Sequence, residues 1–145
     1  MKKFIYMILL AVLALPSFTA CSDQDDTNSI LVGEWCYAEG DDEVYIAFSK
    51  NNTFDLYQKM GEDLIRYYYT GTYEFDGEVL TGMYTGYIPF AHDYKVSRSG
   101  DKLTLTSVLE PDYKVTYTKK SIPEEVKTHF IPVTKSAEVA PVPFL

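Results

Sequence analysis

Apolar and polar residues alternate along most of the chain between residues 34 and 119, in short runs separated by turn sequences. Alternation with a period of two gives a strand one apolar and one polar face, so each run predicts a half-buried β-strand. No helical period occurs among the runs, which excludes parallel α/β folds. The predicted strands are residues 34–38, 44–48, 53–59, 64–75, 79–87, 94–98, 102–108 and 113–119.

Short connections rich in Gly, Asn and Asp separate the predicted strands. Residues 49–52, S-K-N-N, predict a hairpin turn because Asn tolerates positive φ. Gly71, Gly82 and Gly86 interrupt the longer runs and predict bends where a sheet curves. Strands at a spacing of about 8–12 residues with such turns are typical of an antiparallel sandwich or an up-and-down barrel.

One helical signal follows the last predicted strand. Residues 121–124, S-I-P-E, have the pattern of a capping box with Pro in the first turn. Ile122, Val126 and Phe130 then form an apolar stripe at helical spacing, and Pro132 is expected to end the helix. A helix this short is marginal alone, so we expect it to pack on the outside of the β-structure.

Gly33 and Trp35 stand at the first predicted strand, in the stretch L-V-G-E-W-C-Y. A Gly-x-Trp at the first of eight meandering strands, with one helix after the last, resembles the lipocalin-like barrels of the calycin group over residues 30–130. The resemblance implies an all-β fold: an eight-stranded antiparallel up-and-down barrel with one short C-terminal helix. It also implies that Trp35 plugs the closed end, often against an Arg from the final strand. That strand offers lysines here: Lys114, Lys119 and Lys120. An antiparallel β-sandwich is the alternative fold.

Residues 1–20 predict an export signal, because Lys2 and Lys3 precede an apolar run too short to span a bilayer. The stretch S-F-T-A-C that ends at Cys21 resembles the lipobox of bacterial lipoproteins. This resemblance implies that Cys21 is lipidated and becomes the new N-terminus, which anchors the chain to a membrane through acyl chains. An ordinary secreted protein with a chance Cys is the alternative.

Residues 21–30 are expected to be a tether, and its acidic run S-D-Q-D-D looks like an export signal of some outer-membrane lipoproteins. We therefore expect an outer-membrane lipid anchor, with the leaflet left open. The composition excludes nucleic acid as a partner, because the formal net charge is -8 and Arg66 and Arg98 are the only arginines. The 13 tyrosines favour β-structure, in which they keep a polar tip on a half-buried surface.

Residues that carry chemistry are few and scattered. The chain has no Gly-rich phosphate loop, no Cys-x-x-Cys pair and no His-x-x-x-His spacing. His92, beside Asp93, is expected to be a solvated loop residue, with a pH-sensitive pair at a barrel mouth as the alternative. The acidic turn at residues 41–43 lacks the alternating spacing of a calcium loop. Cys36 is expected to be a small apolar filler within a strand. We expect no catalysis, no metal and no cofactor.

The inner faces of the predicted strands carry large apolar and aromatic side chains. The predicted inward set is Trp35, Tyr37, Ile46, Phe48, Phe54, Leu56, Tyr67, Tyr69, Tyr73, Phe75, Leu80, Val96, Leu103, Leu105, Val115 and Tyr117. A cavity among them would be apolar with phenolic tips, which suits a small apolar or amphipathic ligand. The candidate ligand-binding residues are Tyr37, Phe48, Phe54, Tyr67, Tyr69, Tyr73 and Tyr117.

Two functions remain open on these observations. The first is a membrane-anchored, lipocalin-like lipoprotein that binds a small ligand in its barrel. The second is an interaction lipoprotein with a filled barrel, which docks an unidentified partner protein or inhibits an enzyme through its loops. The expected organisation is a signal at residues 1–20, a tether at 21–30, a barrel with its terminal helix at 31–131 and a Pro-containing tail at 132–145.

Overall fold

The computed structural model describes residues 27–134 and Leu145. The predicted signal at residues 1–20 and the lipidation at Cys21 lie outside the described residues. After a short 3-10 helix at Thr27–Ile30, the described part forms ten β-strands and one α-helix. These are β1 (Gly33–Glu39), β2 (Asp42–Phe48), β3 (Thr53–Lys59), β4 (Tyr67–Phe75), β5 (Val79–Tyr84), β6 (Ile88–Pro89), β7 (Tyr94–Ser99), β8 (Lys102–Ser107), β9 (Lys114–Lys119), α1 (Glu124–Thr128) and β10 (Ile131–Pro132).

Eight of these strands close into an antiparallel barrel, as predicted. Strands β1 to β5 follow one another as neighbours, β5 pairs with β7, and β7, β8 and β9 continue the meander. Closure comes from β9 pairing back on β1, where Trp35 lies opposite Lys119. The strand order excludes the alternative of an antiparallel sandwich. The two remaining strands are additions: β6 folds back on β5, and β10 pairs in parallel with β4.

Two predicted strands were too long. The fourth begins at Tyr67 instead of residue 64, because the Asp63 side chain accepts a hydrogen bond from the Ile65 amide and holds a turn there. The fifth ends at Tyr84, where the Tyr87 amide donates to the Tyr84 carbonyl and closes a turn. Tyr87 itself has a φ of 66°, a left-handed conformation that a strand does not contain.

The barrel interior is one hydrophobic core, and it contains every residue of the predicted inward set, buried or partly buried. Two predicted bends are sites of close approach. A Cβ on Gly71 would lie 2.0 Å from the Met83 carbonyl oxygen, and a Cβ on Gly82 would lie 2.3 Å from the Phe90 ring. These two glycines therefore allow the interior side chains and the wall between β4 and β5 to pack closely.

Trp35 fills the end of the barrel at which β1 begins, and it is fully buried. Its indole N–H donates to the Leu31 carbonyl at 2.6 Å. The final strand supplies no Arg, as its lysines indicated, and β7 supplies the cation instead: the Arg98 guanidinium carbon lies 5.2 Å from the Trp35 ring centroid. Arg98 also donates to the Ile30 carbonyl at 3.3 Å, which ties the 3-10 helix to this end. We call it the closed end.

The helix α1 packs on the outside of the barrel, as expected, with Ile122 and Val126 in a second cluster that includes Cys36. The predicted capping box is wrong: the N-cap residue is Pro123, and no side chain caps the helix. Glu34 of β1 instead accepts hydrogen bonds from the Ile122 amide and the Lys127 ammonium, both at 2.8 Å. Pro123 has the non-helical backbone of an N-cap residue but no side-chain oxygen with which to cap α1.

Candidate functional site

The loops that follow β3, β5 and β8 all lie at one end of the barrel, opposite the closed end, because the strands run up and down in sequence. We call this the loop end; its loops are residues 60–66, 85–93 and 108–113. The end is rimmed by exposed apolar side chains, one or more on each loop. The most exposed are Leu64, Tyr87 and Leu109, at 94%, 89% and 84%.

Beneath the loop end, tyrosine and phenylalanine rings fill the interior. Tyr84, the last residue of β5, is buried, and its ring meets those of Phe54, Tyr69 and Phe90 edge to face at 5.4, 5.7 and 5.3 Å. Such contacts stabilise aromatic pairs beyond the area that they bury. The rings therefore form one packed aromatic layer inside the barrel.

The buried phenol groups in and near this layer stay neutral. Burial is the main cause that raises the pKa of Tyr84, Tyr94 and Tyr117 above the usual value, and their tyrosine neighbours raise it further. Burial likewise raises the pKa of Tyr69 to about 12. At physiological pH these groups are therefore uncharged and offer O–H donors inside an apolar volume.

One of these hydroxyls has no hydrogen-bond partner among the residues that the structure describes. Tyr94 is 1% exposed, and its hydroxyl oxygen is buried without a donor or acceptor nearby. Buried polar atoms in folded proteins are normally paired with protein, water or ligand. The Tyr94 hydroxyl is thus a buried polar group without a hydrogen-bond partner among the described residues.

Leu145 also lies inside the barrel and belongs to its core. Its side chain is buried, and its amide donates to the Tyr84 hydroxyl oxygen at 2.9 Å. Its main-chain oxygen accepts from the Tyr84 hydroxyl at 2.9 Å and from the Ala91 amide at 3.1 Å. The interior of the loop end therefore buries the apolar side chain of Leu145 and forms hydrogen bonds with its main chain.

His92 is not the solvated loop residue that was expected. Its ring stacks on Tyr113 with centroids 4.8 Å apart, and its Nδ1 lies 3.1 Å from the Ser107 hydroxyl. The same hydroxyl accepts from the Glu110 amide at 3.0 Å. Ser107 is only 1% exposed, so this Ser–His contact joins two loops and does not present a nucleophile to solvent.

The seven predicted ligand-binding residues are spread along the barrel. Phe54 and Tyr69 belong to the aromatic layer. Tyr117 is an electrostatic neighbour of Tyr84, and Tyr37 touches Tyr117 edge to face at 6.1 Å. Tyr67 is partly buried where β4 begins.

The last two predicted ligand-binding residues, Phe48 and Tyr73, pack against each other at 5.1 Å. The Tyr73 hydroxyl donates to the Ser49 carbonyl in the turn between β2 and β3, away from the loop end. The structure therefore does not bring all seven together.

The sequence interpretation missed Tyr84, Tyr94, Phe90 and Leu145 as parts of this site. The alternation that placed Leu80 inside continues through Gly82 to Tyr84, and the alternation at Val96 extends back to Tyr94. The strand pattern could therefore have predicted that these two tyrosines face the barrel interior. Phe90 and Leu145 lie outside the barrel strands, so no periodicity marked them.

The remaining chemistry-bearing groups do not form a second site in the described part of the chain. Cys36 is a buried free thiol, and burial raises its pKa. Within residues 27–134 and Leu145, no cluster of three or more His, Cys, Asp or Glu side chains has the geometry to hold a metal ion.

Comparison of this chain with protein-family models, with curated proteins and with solved structures finds no match. None of the helices in the described ranges has the length and the apolar character needed to cross a membrane.

Proposed function

We propose that this chain is a lipid-anchored lipoprotein of the outer membrane, with a lipocalin-like barrel that binds a small apolar or amphipathic ligand without catalysis. The anchor rests on the export-signal pattern of residues 1–20 and on Cys21. The ligand site rests on the interior at the loop end.

The Tyr94 hydroxyl carries the binding proposal. An unpaired buried hydroxyl costs about 1–3 kcal/mol, and a ligand oxygen or nitrogen beside it would remove that cost. Tyr84 is an electrostatic neighbour of Tyr94, and the rings of Phe54 and Phe90 that pack on Tyr84 supply flat apolar surface. Together they favour a molecule with an apolar body and one hydrogen-bonding group.

The chain enters the barrel at the closed end, where Arg98 and Trp35 bind the carbonyls of Ile30 and Leu31. A tether that joins Thr27 to Cys21 would attach the membrane on that side. The loop end would then face away from the membrane, so that a ligand could reach it from the aqueous phase.

A fluorescence titration tests the binding proposal. N-phenyl-1-naphthylamine, a neutral apolar dye, should bind the purified full chain saturably at one dye per chain, with a blue-shifted emission. Tyr94→Phe should change the affinity, whereas Tyr87→Phe should not, because Tyr87 is 89% exposed. A dye signal that stays linear up to the solubility limit would exclude binding in the barrel.

The exposed apolar rim favours a second candidate function, which is docking of a partner protein. Leu64, Tyr87 and Leu109 stand on three different loops at the same end. Exposed apolar groups arranged in this way are typical of interaction sites. If a partner docks there, Leu64→Ser with Leu109→Ser should abolish its co-purification from membrane extracts, and the fold should remain unchanged. Co-purification that survives both substitutions would exclude the rim as the docking site.

A further inference from the structure

Exposed apolar side chains gather at one end of the barrel. Within the described residues nine large apolar side chains are exposed, and six of them form neighbouring pairs, one pair on each loop of the loop end: Leu64 and Ile65, Tyr87 and Ile88, and Val108 and Leu109. Of the other three, Tyr113 ends the third loop. Met83 pairs with Pro89 of the second loop, and Ile131 donates its amide to the Arg66 carbonyl of the first at 2.8 Å. Scattered apolar residues are normal on a protein surface, whereas a set confined to one end indicates a contact site.

The same loops carry an excess of negative charge. Their carboxylates all belong to exposed residues: Glu62, Asp63, Asp93, Glu110 and Asp112. Arg66 is the only Lys or Arg in residues 60–66, 85–93 and 108–113. It does not offset the carboxylates, because its guanidinium is paired with Glu43 and its side chain is only 18% exposed. The electrostatic potential at the loop end is therefore negative.

The apolar and the acidic side chains are next to each other along the chain. Residues 62–65 read E-D-L-I, and residues 108–112 read V-L-E-P-D. The loops are also joined in space, since the Val108 amide donates to the Asp93 carbonyl at 2.9 Å. The turn between β1 and β2 adds further acids at this end, because the Asp42 carboxylate accepts from the Gly61 amide at 2.6 Å. A partner must therefore present apolar and cationic groups side by side.

The negative potential decides between possible occupants of the apolar rim. A second copy of this chain would place carboxylates against carboxylates, and like charges across an interface are unfavourable. An anionic lipid surface would be repelled by the same groups. An amphipathic helix with an apolar stripe bordered by lysine or arginine matches both features, because it presents the two kinds of side chain at adjacent positions.

We propose that the loop end binds a basic amphipathic segment of a partner protein, with the apolar stripe of the segment on the rim and its cations beside the loop carboxylates. This inference rests on the docking function proposed above for the rim and names the chemistry of the partner. The apolar contacts supply most of the affinity, and the charges favour this partner over neutral or acidic ones.

The experiment measures the fluorescence anisotropy of a rhodamine-labelled peptide that is titrated with the purified full chain. The peptide is an amphipathic helix of leucine and lysine, about 18 residues long so that it can be helical. We expect saturable binding of one peptide per chain. The same peptide with glutamate in place of lysine should not bind. A peptide of the same composition in scrambled order, which has no apolar stripe, should bind about tenfold more weakly.

Substitutions at the rim test the apolar contribution. Leu64→Ser with Leu109→Ser should weaken binding of the lysine peptide about tenfold, because two apolar anchors are lost. Both side chains are largely exposed, so the fold should remain intact, and circular dichroism checks this.

Substitutions at the carboxylates test the charge. Glu62→Gln with Asp112→Asn should weaken binding and reduce its dependence on salt between about 0.1 and 1 M, over which the screening length falls from about 10 Å to about 3 Å. The matched control is Glu74→Gln with Glu78→Gln. It removes the same charge from the part of β4 near the closed end and from the turn that follows, and it should leave the affinity unchanged.

Four results would overturn the proposal. Equal affinity of the lysine peptide for the native chain and for both loop-end variants would place the contact elsewhere. Co-purification of a partner that depends on Leu64 and Leu109, without peptide binding, would keep the docking function and reject a basic partner. Sedimentation with phosphatidylcholine vesicles, or a dimer in analytical ultracentrifugation, that depends on these leucines without peptide binding would assign the rim to lipid or to a second copy. If neither co-purification nor peptide binding depends on the rim, the docking function fails as well.

Discussion

Arg98 lies over the ring of Trp35, although their strands, β7 and β1, are not neighbours in the barrel. The contact spans the closed end, and the hydrogen bond from Arg98 to the Ile30 carbonyl brings the 3-10 helix into the same arrangement. One cation thus joins β7 to two segments from the beginning of the described chain, the 3-10 helix and β1.

Removal of this cation should loosen the closed end. We expect Arg98→Ala to lower the free energy of unfolding by about 1–2 kcal/mol, because a partly exposed cation–π contact and a hydrogen bond are lost together. Urea denaturation followed by tryptophan fluorescence measures the change. Lys95→Ala on the same strand is the control: its ion pair with Glu78 is long and exposed and should contribute almost nothing. Equal effects of the two substitutions would contradict a specific role for Arg98.

Trp35 should be among the residues on which stability depends most. It is fully buried at the closed end, so Trp35→Ala should cost about 3–5 kcal/mol through the cavity that it leaves. Trp35→Phe should cost less, because the ring volume is partly kept and mainly the hydrogen bond to the Leu31 carbonyl is lost. Thermal unfolding followed by circular dichroism ranks the stabilities of the native chain, Trp35→Phe and Trp35→Ala. An unaltered melting midpoint in Trp35→Ala would exclude the assigned role.

The pH dependence of stability should contain a contribution from Glu34. Burial opposes ionisation of this carboxyl group, yet hydrogen bonds from Lys127 and the Ile122 amide lower its pKa below 4.5 in the folded chain. A lowered folded pKa stabilises the fold above the unfolded value, and this stabilisation disappears as the pH falls below 4.5 towards the folded pKa. Urea midpoints measured from pH 6 to pH 3 should therefore fall less steeply in Glu34→Gln.

The control for Glu34 is Glu78→Gln, whose carboxylate is 74% exposed and should leave the slope unchanged. Lys127→Met offers a second check, because it removes the ammonium and leaves the Ile122 hydrogen bond in place. Its pH slope should lie between those of the native chain and Glu34→Gln. Identical slopes for all four chains would contradict the assignment.

The contact between Ser107 and His92 should stabilise the loop end. Ser107→Ala leaves the Glu110 amide and the His92 ring without their shared partner, and we expect a loss of about 1 kcal/mol. Hydrogen exchange should accelerate at Glu110 and remain unchanged in β2. The control is Ser97→Ala, at an exposed serine of β7, which should change neither the stability nor the exchange rate at Glu110. Exchange at Glu110 that matches the native rate would show that the two loops are joined by other contacts.

Gly82 should tolerate no larger residue while Phe90 keeps its place. A Cβ there would lie 2.3 Å from the Phe90 ring, so Gly82→Ala should cost about 1–3 kcal/mol through overpacking. The double variant with Phe90→Leu should recover part of that loss, since a smaller side chain makes room for the methyl group. The unfolding free energies of the native chain, of Gly82→Ala, of Phe90→Leu and of the double variant measure this coupling. Strictly additive effects would show that Gly82 and Phe90 do not compete for the same space.

Local patterns were sufficient to predict the wall of the barrel. A strand side chain points to one of two faces, so the alternation around Ile46, Phe54 and Leu103 assigned the inner face correctly along each strand. Turn chemistry was equally local, because Asn52 adopts a φ of 63° in the hairpin between β2 and β3. The errors at the ends of β4 and β5 are also local: side-chain and main-chain hydrogen bonds end these strands earlier than hydrophobicity alone indicates.

The candidate site needed the tertiary structure, because its parts are distant in sequence and none carries a motif. Arg98 reached Trp35 only because closure of the barrel curved β7 towards β1. Leu145 meets Tyr84 across 61 positions of the chain, and its neighbours in sequence have no periodicity that would predict burial. The sequence by itself determined which face of each strand is apolar, since that depends on steric alternation within a few residues. Only the tertiary structure decided which buried hydroxyls share one space and which residue fills it, because long-range packing sets those distances.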